Sequence, residues 1–419
     1  MTPDPLHSPE QSRQAAESPN TPDRRPLIGI TMGDPGGVGA EVIVKALADP
    51  EIRRLARFVI FGLNELLAYV ADLAEIEPFW WRDQHERFCP SPIQNTSPFP
   101  AIMPEAPASV LCTHGGGGKY QHDVVVLDYD EFSILGLDAR GPTKAGGQAS
   151  MQFVNDAINA AMRHRIDAIV TAPICKESWQ LAGFDRWPGH TELLAEKTKA
   201  KRFAMMFAAP PPAAKHETRN TKHKTVTENP SALGAHKGLR VVLATIHEPL
   251  FELRHKFKIG TVFDPIDLAH RALVDWFGIE KPRIAVCGLN PHASENGLFG
   301  DEEKRIIEPA ILMAKQHGID ATGPFPADTI FLKAVQGHFD LVVAMYHDQG
   351  LIPVKLLDFN GSVNLTLGLP IVRTSPDHGT AFDIAGRNKA DPGSIKSAIR
   401  MAVQIATQRA SVPPTPPIA

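Results

Sequence analysis

The chain has 419 residues, 43% of them hydrophobic, which is enough for a large core and usually for two lobes. Its 43 basic and 47 acidic side chains leave a net charge of -4, so nothing in the balance points to nucleic acid or a membrane as partner. Cys89, Cys112, Cys175 and Cys287 form no CxxC pair and are too sparse for a disulfide framework, so a reduced, cytoplasmic setting is expected.

Residues 1–25 are polar and Pro-rich and lack the apolar stretch of a signal peptide; they are expected to be a disordered arm, as is the tail 411–419. No run of about 18 apolar residues occurs, so no membrane span is expected. Leu27–Thr31 reads as a strand, followed by GDPGGVG at 33–39 and a helical pattern, AEVIVKALAD. Arg57–Gly62 is a second strand, followed by a helix, NELLAYVADL. Val124–Asp128 reads as a strand, Met151–His164 as a helix and Ile166–Ala172 as a buried strand. Met205–Phe207 and Leu239–Thr245 flank residues 208–237, which are polar and rich in Pro and Lys and read as a surface insertion. Pro265–Phe277 and Glu302–His317 have helical spacing, Arg283–Gly288 and Asp340–Met345 read as strands, and Ser394–Thr407 as the last helix. Short continuous apolar runs alternating with amphipathic helices predict an α/β fold whose parallel strands are buried on both faces.

Three of these strands run into histidine: His247 after Val241–Thr245, His292 after Ile284–Gly288, and His347 after Leu341–Met345. Ligands of open α/β sheets bind beyond the carboxyl ends of the strands, and three neutral imidazoles there would hold a metal with coordination sites left open. The alternative is that each histidine caps its own strand end. Thr171 and Lys176 lie near the end of another strand, and Lys355, Asn364 and Arg373 lie in later polar stretches; Lys355 and Arg373 suit phosphate or carboxylate, or else make ordinary surface ion pairs. GDPGGVG does not match GxGxxG and reads as a tight turn. HGGGGKY at 114–120 lacks the first Gly and the final Ser or Thr of a phosphate loop and reads as a flexible loop.

Taken together, TMGDPGGVGAE, TAPICKE, PGHTELLAE, CGLNPHASENGLFGDEE, GPFPADTIF, AMYHDQGLIPVK, VNLTLGLPIVRTSPDHGTAFDIAG and ADPGS resemble the ordered blocks of the 4-hydroxythreonine-4-phosphate dehydrogenase family. The resemblance covers 26–410 apart from 208–237. It implies a two-lobed α/β/α fold of the isocitrate/isopropylmalate dehydrogenase-like type. One lobe, on the cofactor side, would comprise 26–140 plus 322–410; the other, with the dimer interface, 141–321. It implies His247, His292 and His347 as metal ligands, and His190, Thr191, Lys355, Asn364 and Arg373 as substrate contacts. NAD would lie along Asp377–Gly386, with Asp377, His378, Gly379, Thr380, Asp383 and Gly386 as its contacts. Lys355 and Asp328 are the candidates for the proton acceptor.

Members of this family are homodimers whose metal sites are completed by both subunits. The implied reaction is oxidation of 4-phosphooxy-L-threonine to a 3-oxo acid that decarboxylates to 3-amino-2-oxopropyl phosphate, in pyridoxal 5'-phosphate biosynthesis. The metal would be Zn, Co or Mg; three histidines suit the first two, whereas Mg prefers oxygen. Ala40 stands where relatives usually carry Pro, and Ser294 where Gly is usual. Alternatives are a dehydrogenase of a four-carbon sugar-acid phosphate such as erythronate or threonate 4-phosphate, a cis-dihydrodiol dehydrogenase, and a non-catalytic metal- or ligand-binding protein.

Overall fold

The computed structural model describes residues 25–84, 122–132, 140–211 and 238–411. The expectations for the N-terminal arm before Arg25, for HGGGGKY, for 212–237 of the insertion and for the tail after Ser411 lie outside the described residues.

The apolar runs become strands because their two faces are both covered. β1 (Leu27–Thr31) and β4 (Val124–Asp128) are buried along their whole length, and β2 (Arg57–Gly62) in all but its first residue. Between them helices supply the cover. α1 (Gly39–Ala48) turns Val42, Ile43, Ala46 and Leu47 inward, and α2 (Pro50–Leu55) and α3 (Asn64–Leu73) follow it. A short strand β3 (Trp81–Gln84) adds to the edge beside β4. α4 (Lys144–Met162) begins seven residues before the expected Met151, because Thr143 caps it by accepting from the Gly146 N–H. β5 (Ala168–Thr171) then pairs with β1 in parallel.

After α5 (Lys176–Leu181) and α6 (His190–Lys197), the chain enters β6 (Ala204–Ala209) and returns through β7 (Leu239–Leu243). α7 (Leu253–Lys256), α8 (Ile259–Asp275), β8 (Ile284–Cys287), α9 (Glu308–Gln316), β9 (Ala321–Phe325) and α10 (Ala327–Val335) follow. The last stretch holds β10 (Leu341–Ala344), α11 (His347–Leu357), β11 (Val363–Leu367), β12 (Arg373–Pro376) and α12 (Gly393–Ser411).

Among the described residues these strands form one sheet in the order β3-β4-β2-β1-β5-β12-β11-β6-β7-β10-β8-β9. The expectation of parallel strands holds within two blocks and fails between them. β11 is antiparallel to β12 and to β6, and β6 is antiparallel to β7. Three reversals leave the block β7-β10-β8-β9 running opposite to the block that contains β1. The physical cause is the connections: β11 and β12 are joined by five residues, too few for a parallel crossover, so they pair as a hairpin. The two expected lobe ranges interleave along this sheet, with β5 beside β1 and β10 between β7 and β8. The isocitrate/isopropylmalate dehydrogenase-like arrangement of helices on both sides of a large central sheet is what the chain adopts.

Candidate active site

β7, β10 and β8 are adjacent and parallel, so His247, His347 and His292 leave the sheet on the same edge. Gln349, in the first turn of α11, ties two of those strand ends together: it accepts from the Met345 N–H at 2.6 Å and donates to the Gly288 carbonyl at 2.9 Å. The rings of His247 and His347 come together, with centroids 5.8 Å apart. Burial, and then the positive charge of Lys176, hold His247 below its ordinary pKa, which keeps its lone pair available near neutral pH. His347 Nδ1 lies 2.7 Å from Asp348 Oδ1, a contact that orients the ring.

His292 does not join them. It opens a turn in which His292, Ala293, Ser294, Glu295 and Asn296 all have φ between 43° and 64°. Left-handed backbone costs a non-glycine residue roughly 1–2 kcal/mol. Five in succession rival the about 5–15 kcal/mol that stabilise a whole domain, so the surroundings must offset the cost. The offset is visible around the turn. The buried Glu303 carboxylate accepts from the Leu289 N–H (2.8 Å), the Asn290 N–H (2.7 Å) and the Asn290 side-chain amide (2.9 Å). Glu302 accepts from the same amide at 2.8 Å. Gly288 permits the close approach, since a Cβ there would lie 2.8 Å from Ala293 Cα. The ring nearest to His292 is Phe299, 6.2 Å away. Among the described residues no three His, Cys, Asp or Glu side chains of one chain form a metal-sized cluster.

Next to the histidine pair a cavity of about 360 Å³ opens over the face of β5, β12, β11 and β6. Ser375, Asn364 and Phe207 stand in register across that face. His190, at the start of α6, Lys176, at the start of α5, and Asp377, just after β12, close its sides. Arg373 is its most unusual lining residue. It is 3% exposed, and its guanidinium donates only to hydroxyls, to Thr171 Oγ1 at 3.1 and 2.8 Å and to Thr366 Oγ1 at 3.2 Å. Burial without a paired carboxylate pulls its pKa down to about 10, with Glu192 opposing from across the cavity. Three other polar atoms on this wall, His190 Nε2, Asn364 Oδ1 and His378 Nε2, are shielded from solvent and have no hydrogen-bond partner. Buried polar atoms are nearly always paired, so such a concentration marks a place where a polar ligand completes the bonding. His190 is held well below its ordinary pKa by burial and then by Arg373, so its imidazole is neutral.

Lys355, two turns beyond His347 on α11, reaches back so that Nζ lies 3.3 Å from Asp377 Oδ2. Burial raises the Asp377 pKa while Lys355 pulls it down. Of the residues expected to contact a cofactor, Asp377, His378 and Gly379 line the cavity itself. Thr380 lies behind, where its carbonyl accepts from the Val38 N–H at 2.9 Å. That contact seats the segment on the GDPGGVG turn, and a Cβ on Gly37 would come within 2.9 Å of the same carbonyl. Asp383 is exposed, and Gly386, at φ 67°, lies under the Arg140 guanidinium. Thr191 is buried at the start of α6 and also lines the cavity. Asp328, in the first turn of α10, is exposed and does not line it.

Sequence reasoning missed Glu192 and Glu303. Glu192 lines the cavity, with an oxygen 4.0 Å from His247 Nδ1; it directly follows the His190-Thr191 pair, and that adjacency was the available signal. Glu303 gave no signal, because its partners, two backbone N–H groups and the Asn290 amide, lie before a turn whose conformation no local pattern encodes.

A family model described as pyridoxal phosphate biosynthetic protein PdxA matches residues 59–402. The 4-hydroxythreonine-4-phosphate dehydrogenase of Desulforapulum autotrophicum is 41% identical over 386 residues, covering 92% of this chain and 97% of the relative. The D-threonate 4-phosphate dehydrogenase of Cupriavidus necator is 38% identical over 392 residues, covering 93% and 99%. The crystal structure of the 4-hydroxythreonine-4-phosphate dehydrogenase of Klebsiella pneumoniae superposes with a TM-score of 0.68 at 34% identity, over 91% of this chain and 99% of the other. On this match of sequence and fold over nine-tenths of its length, the chain belongs to the PdxA family of pyridoxal phosphate biosynthetic proteins.

Proposed function

We propose that the chain is a 4-hydroxythreonine-4-phosphate dehydrogenase that oxidises 4-phosphooxy-L-threonine with NAD and a divalent metal ion. The observation that carries this reading is the solvent-shielded Arg373, a cation with no paired carboxylate, in a wall of unpartnered polar atoms. Such a wall calls for an anion that reaches the site by binding.

Arg373, Lys355, His190 and Thr191 would hold the phosphate and carboxylate groups, with Asn364 completing the wall. Holding both ends of a small substrate fixes its middle carbons, and such positioning contributes several kcal/mol when the geometry is right. His247 and His347 carry imidazole donors of the kind a Zn or Co site uses, and they would supply two of its three histidines. His292 of a second copy would complete it. In favour of that dimer, the loops and helix that carry the three histidines also carry the most exposed large apolar side chains among the described residues: Phe251 (90%), Leu298 (71%), Leu356 (83%) and Phe359 (69%). When bound, the metal supplies Lewis acidity at the substrate hydroxyl and NAD accepts the hydride. Of the two candidate proton acceptors, Lys355 stands beside the cavity, 3.3 Å from Asp377, and would have to give up its own proton to serve; Asp328 does not line the cavity. NAD would lie along Asp377–Gly386, from the cavity wall outward to the part of the segment seated on the GDPGGVG turn. Cys175 and Cys287 are free thiols, which fits a reducing, cytoplasmic setting. No helix of the described residues is long and apolar enough to cross a membrane.

The second reading is a D-threonate 4-phosphate dehydrogenase, favoured by the Cupriavidus necator relative. The two are separated by presenting 4-phosphooxy-L-threonine and D-threonate 4-phosphate side by side, with NAD and with NADP, and following reduced nicotinamide. A higher kcat/KM for the threonate would overturn the first reading, and turnover of neither would overturn both.

A further inference from the structure

We infer that Glu303 is the positioning residue that makes His292 a ligand for a second copy of the chain rather than for its own cavity. The inference rests on the trans-metal reading above and adds the device that enforces it.

A strand that ends as β8 does would ordinarily carry its next side chains onward over the sheet edge, toward His247 and His347. The left-handed run from His292 to Asn296 turns the chain aside instead. Nothing within that run compels it, because none of the five residues is glycine. The compulsion comes from outside. Glu303 accepts both successive backbone N–H groups that precede the turn, those of Leu289 and Asn290, and with Glu302 it holds the Asn290 amide. A carboxylate buried to 1% exposure and given three donors has no reason to leave. The same hinge is tied to the histidine pair, since Gln349, two residues after His347, donates to the Gly288 carbonyl. The clamp therefore sets the spacing between the imidazoles a copy keeps and the one it offers. Metal sites depend on such outer supports, whose loss typically costs 10–100-fold in affinity.

The test titrates Co²⁺ alone into metal-free, full-length protein carrying Glu303→Gln, Asn290→Ala or His292→Ala. Affinity is read by competition with a chromogenic chelator, geometry by the visible spectrum of bound cobalt, and folding by circular dichroism. Glu303→Gln is expected to bind Co²⁺ at least about tenfold more weakly with an altered spectrum, while its circular dichroism matches wild type. A purely structural role would move the melting temperature and leave the cobalt spectrum unchanged. Wild-type affinity and spectrum in Glu303→Gln, alongside weakened binding in His292→Ala, would overturn the inference and leave the trans-metal reading standing. Undiminished binding in His292→Ala would overturn that reading, and this inference with it. Should Glu303→Gln fail to fold, Asn290→Ala removes only the side-chain leg of the clamp and is judged by the same two outcomes.

Discussion

Replacing Arg373 by Met should lower activity by two to four orders of magnitude while leaving the fold as stable as before, or slightly more so. The activity side follows from charge. A hydrogen bond to an ionised partner is worth about 1.5–3 kcal/mol, and a guanidinium offers a phosphate two of them, together about 3–6 kcal/mol. Stability moves the other way. A guanidinium whose pKa is pulled down to about 10 has its charged form disfavoured by about 3 kcal/mol. Against this stand the bonds to Thr171 and Thr366, which by the same measure contribute about 1.5–3 kcal/mol for each hydroxyl, part of it regained when the hydroxyls turn to other partners. Met fills much of the same volume without a charge, and such replacements of buried cations are often neutral or stabilising. The assay pairs kcat/KM for 4-phosphooxy-L-threonine with urea midpoints of the ligand-free protein. Near-normal kcat/KM would refute the anion-binding role. A stability loss of about 3 kcal/mol or more would show that the guanidinium holds the framework instead.

Three other outcomes follow from the same structure. Joining residue 211 to Gly238 by a short Gly/Ser link, in place of 212–237, should leave kcat/KM within a few-fold. Ala209 and Leu239 already face each other in a β6–β7 hairpin register, and loss of soluble, active protein would show that the segment contributes to the fold or the site. Asp383→Asn should raise the KM for NAD about tenfold and the substrate KM far less, since Asp383 is exposed beyond the cavity wall; equal effects on both would remove it from the cofactor site. Because His190 is held neutral well below 6.5, the unfolded chain binds a proton that the folded chain refuses as the pH drops under 6.5. Stability of the ligand-free protein should therefore fall from pH 6.5 downward, with a shallower slope in His190→Asn; parallel slopes in urea midpoints would show that His190 is not buried neutral.

The strands were readable from sequence where burial is two-sided. Runs such as Leu27–Thr31 and Leu341–Ala344 are apolar throughout because helices cover both faces, and local composition reports that directly. The short edge strand Trp81–Gln84 is largely exposed and polar, and for the same reason it was invisible. The histidines after β7, β8 and β10 could be placed at strand ends from their position in the chain alone.

Which strands are neighbours, and hence that those ends share an edge, is a matter of sheet order, which depends on contacts between residues a hundred positions apart. So does the reversal between the two strand blocks, set by the hairpin at β11–β12 and by β6. Arg373 shows the division most plainly. Its sequence neighbourhood suits a surface ion pair as well as a binding site, and only the packing of β5 and β11 beside it removes water and leaves it without a carboxylate partner. His292 is the converse case. Its residue type and position made it a ligand candidate, but in the structure it opens a left-handed turn held by Glu303, eleven residues away in sequence, and stays apart from the pair its own chain assembles. Sequence by itself determined the residue types and the elements that carry them, because both are local. Tertiary structure decided which of them meet, because burial and long-range hydrogen bonds, with no local signature, choose among backbone conformations that the chain could equally well adopt.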